Sequence, residues 1–319
     1  MIKCYLFYRT LEILDDTLTY VIIGDKDASA EGSLQGTFNE MATITGFGHL
    51  ETEQYLTARL DKFGGVEAYN HYAVGWAHAM NTPYQWTKQV AFDDDVWELY
   101  DTTKDWSQSN DLAKEMPEKL RELQRLWLIE AVKHNVLALD ERFAERANPD
   151  LVDRPQLTKG NRQILFGGMG RMTEMSIVNY KNKSHAVTDE VVVPQSGAEG
   201  VIVAVGGNIG GWSLYAKEGK PKYCYNFYGL NRYTIEGTTK IPAGKHQVRM
   251  EFKYDGGGLA KGGTVTLYVD GKKAGEGRVE QTEPIVFSAD ETCDVDKDTE
   301  DLDHLITPEE RLRVAMAIQ

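Results

Sequence analysis

The sequence predicts an α+β protein, in which a partial α/β segment is followed by an antiparallel β-sandwich. Residues 245–254 alternate between apolar and polar side chains, which is typical of a strand with one face exposed to water. Residues 264–273 repeat this alternation and turn at Asp270-Gly271, a strong hairpin signal. Residues 20–23 are instead apolar without alternation, which favours a strand that is covered on both faces in a parallel sheet.

The second half of the chain carries many short strands separated by glycine-rich turns. Further strands are predicted at 186–193, 201–205, 212–216, 223–227, 233–236 and 285–288. Such spacing indicates a β-sandwich or jelly roll. Two glycine-rich runs, 206–211 and 255–263, fit neither a dinucleotide fingerprint nor a P-loop, so we interpret them as hairpin or bulge glycines.

Four regions are expected along the chain. They are an α/β segment at 1–91, a strand plus a long helix at 92–150, the β-sandwich at 151–290, and an acidic segment with a terminal helix at 291–319. The strongest helix signal covers 111–135, where Pro117 suits a first turn. Thr307 and Pro308 are the predicted cap and first residue of the terminal helix.

Composition limits the partners and the compartment. The chain has 319 residues, 41% of them hydrophobic, with a formal net charge of −14, which argues against nucleic acid or an anionic membrane as a partner. Three cysteines without paired spacing indicate a reduced, cytoplasmic protein, and the first nine residues do not read as an export signal. Cys224 is expected to point at a core, and the seven histidines show no zinc-like spacing.

An oxygen-rich turn follows the strand predicted at 20–23. Asp25, Asp27 and Ser29 would lie just past the carboxyl end of that strand, where open α/β sheets place ligands. Carboxylate and hydroxyl oxygens suit a hard cation such as Ca²⁺. Asp and Ser also favour ordinary solvated turns, so both interpretations stay open on the residues alone.

Residues 24–40 and 70–89 resemble segments of the bacterial arylsulfatases, members of the alkaline-phosphatase-like superfamily. In that family the first segment supplies an Asp-Asn pair that ligates calcium, and the second supplies a Lys that contacts the sulfate. By position, the resemblance assigns Asp25 to the metal and Lys88 to the sulfate. Lys26 stands at the Asn position, and an ammonium group has no lone pair with which to coordinate Ca²⁺.

The resemblance starts near Leu14 and breaks between Ala91 and Phe92, where a central part of the family's sheet is absent. No Cys or Ser is followed by the x-Pro-x-Arg pattern from which sulfatases make their formylglycine nucleophile. The resemblance therefore implies a truncated sulfatase without turnover, which does not bind the family's Ca²⁺. The β region resembles both the carboxyl-terminal domain of these enzymes and the laminin-G or concanavalin-type lectin sandwiches.

Two function classes follow. The first is a sulfate-ester hydrolase by descent, catalytically incompetent, with a periplasmic location open beside the cytoplasmic one. The second is a carbohydrate-binding, protein-binding or oligomerisation module. Trp212, Tyr225 and Tyr228 could stack on sugars, but burial in the core is the default for such strand positions. We also expect residues 1–91 to be loose, because their sheet would lack most of its strands.

Overall fold

A computed structural model of the chain describes residues 28–82, 97–137, 144–288, 291–296 and 313–318. The chain divides into two compact units. One consists of residues 1–30 and 75–134, and the other of residues 31–74 and 135–319.

The second unit is built on an antiparallel β-sandwich. Its strands, in chain order, are β1 (Arg162–Leu165), β2 (His185–Val193), β3 (Gly200–Gly207), β4 (Gly210–Lys217), β5 (Lys220–Phe227), β6 (Asn231–Glu236), β7 (Gly244–Tyr254), β8 (Lys261–Val269), β9 (Lys272–Gln281), β10 (Cys293–Val295) and β11 (Arg313–Ile318). One sheet has the order β1-β11-β2-β7-β8-β9 and the other the order β10-β3-β4-β5-β6. Every neighbouring pair is antiparallel, so the predicted sandwich is confirmed.

The core lies between the two sheets and follows from the alternation of the strands. On β7, Val248, Met250 and Phe252 are buried, while the residues between them stay in contact with water. They belong to the same hydrophobic cluster as Leu214 and Tyr223 of the facing sheet. Burying each large apolar side chain contributes about 1.5–3 kcal/mol, so this interleaved face is the main source of the sandwich's stability.

Tight hairpins join the strands where the sequence places glycine. Asp270 and Gly271 both have positive φ angles, of 49° and 73°, as the two central residues of a type I′ turn require. In the β3–β4 hairpin, a Cβ atom on Gly211 would lie 2.2 Å from the carbonyl oxygen of Val205. The interpretation of the 206–211 run as hairpin glycines is confirmed.

Residues 31–74 pack on the sandwich and do not form the predicted remnant of an α/β domain. Helix α1 (Glu40–Ile44) places Met41 and Ala42 in the core cluster, and α2 (Glu53–Thr57) follows. Phe47 contacts the ring of Phe227 at a centroid distance of 5.3 Å. Residues 28–82 contain isolated backbone bridges but no strand of a parallel sheet. The expectation of a loose segment is therefore wrong for residues 31–74, because their apolar side chains pack against the core of the sandwich.

The end of the chain also differs from the prediction. Residues 313–318 form β11, where a terminal helix was expected. The strand pairs with β1 on one side and β2 on the other. Two rows of backbone hydrogen bonds override a weak local helix propensity. Thr307 and Pro308 lie outside the described residues.

The first unit contains helix α3 (Val74–Met80), most of which belongs to it, and helix α4 (Pro117–Lys133), which starts at Pro117 as predicted. Ala131 of α4 is buried, and Trp127 lies edge-on to Trp97 with ring centroids 5.7 Å apart. Residues 97–100 have no regular secondary structure, and the rest of the strand predicted there lies outside the described residues. In the second unit, α5 (Pro149–Val152) precedes β1. None of the helices that the structure describes is both long and apolar enough to cross a bilayer.

Candidate functional site

The residues that the resemblance assigned to a sulfatase site lie outside the described part of the chain. Asp25, Lys26 and Lys88 are all in ranges that the structure leaves undescribed. The assignment of Asp25 to a metal and of Lys88 to a sulfate group stays a prediction, as does the expectation that this chain does not bind Ca²⁺.

The three aromatic residues that could have stacked on sugars are part of the core. Trp212, Tyr225 and Tyr228 have 3%, 4% and 1% of their surface exposed. Trp212 packs edge-on against Tyr180, and the Tyr225 hydroxyl accepts a hydrogen bond from the Glu283 amide at 2.8 Å. The default interpretation of these positions as core residues is confirmed.

The opposite face of the same sheet carries a groove with a volume of about 580 Å³. Its floor is a row of small side chains that lie side by side on neighbouring strands. Ala204 on β3 pairs with Ser213 on β4, which pairs with Cys224 on β5. Because these side chains are short, the longer residues two positions along the strands on either side of the row form the walls, at the pairs Tyr215–Lys222 and Gly211–Asn226.

One wall is formed at the β3–β4 turn. The Asn226 side-chain amide donates to the carbonyls of Gly207 and Asn208, at 2.7 and 2.9 Å, and fixes the turn. Arg232, on β6 and directly opposite Asn226, donates from Nη2 to the Asn208 side-chain oxygen at 3.2 Å. A guanidinium group has five N–H donors, so this exposed arginine retains the capacity to bind a carboxylate or a hydroxyl group.

The other wall includes Tyr215, which pairs across the sheet with Lys222. Burial, with the neighbouring Cys224 and Glu236, raises the pKa of Tyr215 above its usual value. The phenol is therefore uncharged at neutral pH and presents a ring and a hydroxyl group. Lys222 forms an ion pair with Glu236, with an Nζ to Oε2 distance of 3.2 Å.

The groove is lined by more positive than negative side chains, although the chain as a whole is negatively charged. The lining includes the cations Lys217 and Arg232 and a single carboxylate, Glu199. That carboxylate accepts a hydrogen bond from the backbone amide of Glu218 at 2.9 Å. Since the chain as a whole has a net charge of −14, a groove lined by two cations and one anion is a local exception that favours an acidic ligand.

Cys224 was expected to point at a core, and Tyr215 was not among the residues predicted to bind a ligand. Cys224 is half-buried and lines the outer groove, so that expectation is wrong. The available signal was the alternation of β4, in which Trp212, Leu214 and Ala216 are buried and the residues between them face outward. Because Ser213 pairs with Cys224, the orientation of one strand determines that of the next.

A second group of charged side chains lies inside the sandwich. Lys181 Nζ is 2.8 Å from Glu174 and 3.5 Å from Glu283, and it lies 3.0 Å above the centre of the Phe287 ring. Glu283 is 1% exposed, and burial raises the pKa of its carboxyl group although Lys181 opposes the shift. This cluster is enclosed by the core, so we assign it a structural role.

Over the described ranges, one group of histidine and carboxylate side chains is close enough to share a metal ion. It consists of Glu31, Glu40 and His71, none of which lines the groove.

Comparisons with known proteins give structural neighbours only. No family model and no curated protein matches this chain. Among solved structures it is similar to the CBM40 domain of a Ruminococcus gnavus IT-sialidase bound to α2,3-sialyllactose, with a TM-score of 0.36 and 13% identity over 51% of this chain and 92% of that one. It is also similar to a heptameric SAP-like pentraxin from Limulus polyphemus (TM-score 0.27, 15% identity, 50% and 75% covered) and to domains LG4–5 of the mouse laminin α1 chain (0.30, 11%, 51% and 39%).

These findings correct the family expectation. Membership of the arylsulfatases is wrong, because no family model supports it and the neighbours found are β-sandwich domains, not sulfatases. The resemblance also implied a hydrolase by descent, calcium as the family's metal and a sulfate ester as partner, and none of these is supported. The physical reason is visible in residues 31–74, which pack on the sandwich and not into a sulfatase-type sheet. Of the two function classes, the second is the one based on the β-sandwich that the structure shows.

Proposed function

We propose that the β-sandwich is a carbohydrate-binding module and that its glycan site is the groove on the outer face of the five-stranded sheet. The observation that carries the proposal is the groove itself, about 580 Å³ in volume, with Tyr215 at one wall and Arg232 at the other. Small-molecule sites typically enclose about 300–1,000 Å³, so the groove has room for a short oligosaccharide.

The chemistry of the walls suits a sugar. A pyranose ring has an apolar face and a rim of hydroxyl groups. A tyrosine ring offers a flat apolar surface with a polar tip, which matches both features. Ser213 on the floor and Asn208 at the wall add polar groups that can exchange hydrogen bonds with hydroxyl groups of the ligand.

The charge of the groove favours an acidic sugar over a neutral one. The guanidinium fork of Arg232 matches a carboxylate in bidentate geometry, and such charge-assisted pairs are about twice as strong as neutral hydrogen bonds. Lys217 adds a second cation to the lining. We therefore expect an oligosaccharide with a terminal carboxylated residue to bind more tightly than its neutral counterpart.

The test is a calorimetric titration of the full chain with α2,3-sialyllactose, the ligand in the Ruminococcus gnavus structure, and with lactose as the matched neutral sugar, beside a glycan array. Tyr215→Ala should weaken binding of both sugars by about tenfold or more, equivalent to about 1.4 kcal/mol. Arg232→Ala should weaken sialyllactose binding and leave lactose binding unchanged. Tyr268→Ala removes a half-buried tyrosine from the other sheet and should change neither.

The proposal is wrong if no glycan on the array binds the folded chain, or if Tyr215→Ala and Tyr268→Ala bind equally well. Stronger binding of neutral than of acidic glycans would retain the site and overturn the preference for a carboxylate. An oligomer contact through the sandwich stays a prediction.

A further inference from the structure

Three metal-binding side chains from separate points of the chain meet within residues 31–74. One ligand atom from each of Glu31, Glu40 and His71 lies within 4.8 Å of the other two. His71 Nε2 is 3.8 Å from Glu31 Oε2, which is too long for a hydrogen bond. Two tetrahedral ligands of one Zn²⁺ ion, each about 2.0–2.2 Å from the metal, lie about 3.3–3.6 Å apart, so a shift of a few tenths of an ångström would bring this pair onto a shared ion.

Backbone pairing fixes two of the three ligands relative to each other. The amide of Thr37 donates to the carbonyl of His71 at 3.0 Å, and the amide of His71 donates back to Thr37 at 3.1 Å. Three residues further along, the amide of Glu40 donates to the carbonyl of Tyr69 at 2.8 Å. Glu40 and His71 are therefore held together by main-chain hydrogen bonds that do not depend on their side chains.

The third ligand is positioned by a close approach of two segments. A Cβ atom on Gly32 would lie 1.9 Å from the carbonyl oxygen of Tyr72, so a residue other than glycine would force these segments apart. The amide of Val74 donates to the carbonyl of Ser33 at 2.8 Å and closes the same contact. Glu31, directly before Gly32, is thereby held against the segment that carries His71.

The imidazole of His71 supplies an independent second observation. Its Nδ1 atom lies 3.2 Å from the carbonyl oxygen of Tyr72, which can only accept a hydrogen bond. With the proton on Nδ1, the lone pair is on Nε2, the nitrogen that faces Glu31. Metal-binding histidines almost always donate from their other ring nitrogen to a carbonyl or a carboxylate in this way.

We propose that Glu31, Glu40 and His71 form a binding site for a divalent transition-metal ion, for which Zn²⁺ is the probe. One imidazole and two carboxylates without sulfur suit Zn²⁺, which commonly takes three protein ligands and a water molecule in tetrahedral geometry. Ca²⁺ prefers an all-oxygen shell, so this site is chemically distinct from the calcium ligand predicted at Asp25. The ion would cross-link the 31–40 segment to the 69–74 segment and stabilise both by mass action.

The test is a calorimetric titration of the full, chelator-treated chain with ZnCl₂, repeated with Co²⁺ to detect the visible absorption of a tetrahedral site. One ion should bind per chain. The substitutions His71→Ala, Glu31→Gln and Glu40→Gln should each weaken its affinity by at least about tenfold, equivalent to about 1.4 kcal/mol. His78→Ala and Glu53→Gln, at exposed positions outside the cluster, are the matched controls and should bind like the parent chain.

X-ray absorption of the zinc complex is a second readout that needs no variant to fold. The proposal predicts nitrogen and oxygen neighbours at about 2.0–2.2 Å, including one imidazole, and no sulfur. A chain that binds no zinc, a zinc ion with sulfur neighbours, or an affinity unchanged in all three folded variants would overturn it. Neither experiment involves the groove, so its outcome is independent of the glycan proposal.

Discussion

The side-chain amide of Asn39 donates a hydrogen bond to the carbonyl of Ile209 at 2.6 Å, across 170 positions of the chain. The same amide donates to the carbonyl of Tyr228 at 3.1 Å, while its oxygen accepts from the amide of Met41 and caps α1. Asn39 is 2% exposed, so all three bonds form away from water. A single buried side chain thus ties residues 31–74 to the turn between β3 and β4.

Asn39→Ala should lower the free energy of unfolding by about 2–4 kcal/mol, because it leaves two buried carbonyls unpaired and removes a helix cap. Denaturant unfolding measures the change. Asn70→Ala, which removes a hydrogen bond to the amide of Gly64 at an exposed position, is the control and should cost less than about 1 kcal/mol. Equal losses in the two variants would show that the Asn39 contacts do not anchor the segment.

Lys181→Met should destabilise the sandwich by about 3–5 kcal/mol, because it leaves the buried carboxyl group of Glu283 and the largely buried one of Glu174 without their cation. Adding Glu283→Gln to this variant should restore part of the loss. The surface ion pair of Lys183 and Asp150, 2.6 Å apart, provides the control Lys183→Met, which should cost about 1 kcal/mol or less. A double variant no more stable than Lys181→Met alone would argue against a charge effect.

The pH dependence of stability should reflect His185, which lies between the rings of Tyr180 and Phe252. Burial, with a smaller contribution from the nearby Lys181, lowers the pKa of His185 from 6.5 to about 4, although the hydrogen bond to the carbonyl of Lys183 opposes the shift. The unfolded chain therefore binds a proton between pH 6.5 and 4 that the folded chain does not, so stability falls as the pH drops through this window. The shift corresponds to about 3 kcal/mol.

The variant His185→Asn retains a donor for the carbonyl of Lys183 and does not titrate. Its unfolding free energy, measured from pH 4 to pH 7, should lack the part of the acid loss that His185 causes. His134→Asn, at an exposed position of the first unit, should follow the parent curve. If the His185 variant also follows the parent curve, the group that causes the acid loss is elsewhere.

Alternation along strands and the start of one helix could be predicted from the sequence, because each depends on neighbouring residues. The solvent-exposed and buried faces of β7 and the beginning of α4 at Pro117 are both local features of this kind. The strand β11 could not be predicted, since its hydrogen bonds come from β1 and β2, more than a hundred residues earlier in the chain. The packing of residues 31–74 on the sandwich likewise depends on the distant contact of Asn39 with Ile209.

The candidate sites escaped sequence analysis for the same reason. Glu31, Glu40 and His71 have no recognisable ligand spacing, because the pairing of Thr37 with His71 brings them together. Tyr215 becomes notable only when the row beside it, Ala204, Ser213 and Cys224 on β3, β4 and β5, proves to consist of small residues. The resemblance between short segments carried no information about the groove or about the cluster of Glu31, Glu40 and His71. The predicted cytoplasmic location stays a prediction.

The most direct measurement of the central claim is the rate at which the thiol of Cys224, on the floor of the groove, is alkylated with and without bound oligosaccharide, followed by peptide mass spectrometry. Cys293 is an internal control, because burial raises the pKa of its thiol to about 12 and makes it unreactive. If the groove is the glycan site, saturating oligosaccharide should slow the alkylation of Cys224 at least about tenfold, and Tyr215→Ala should abolish this protection at the same sugar concentration. Oligosaccharide that binds the chain while Cys224 reacts at an unchanged rate would place the glycan elsewhere and contradict the account.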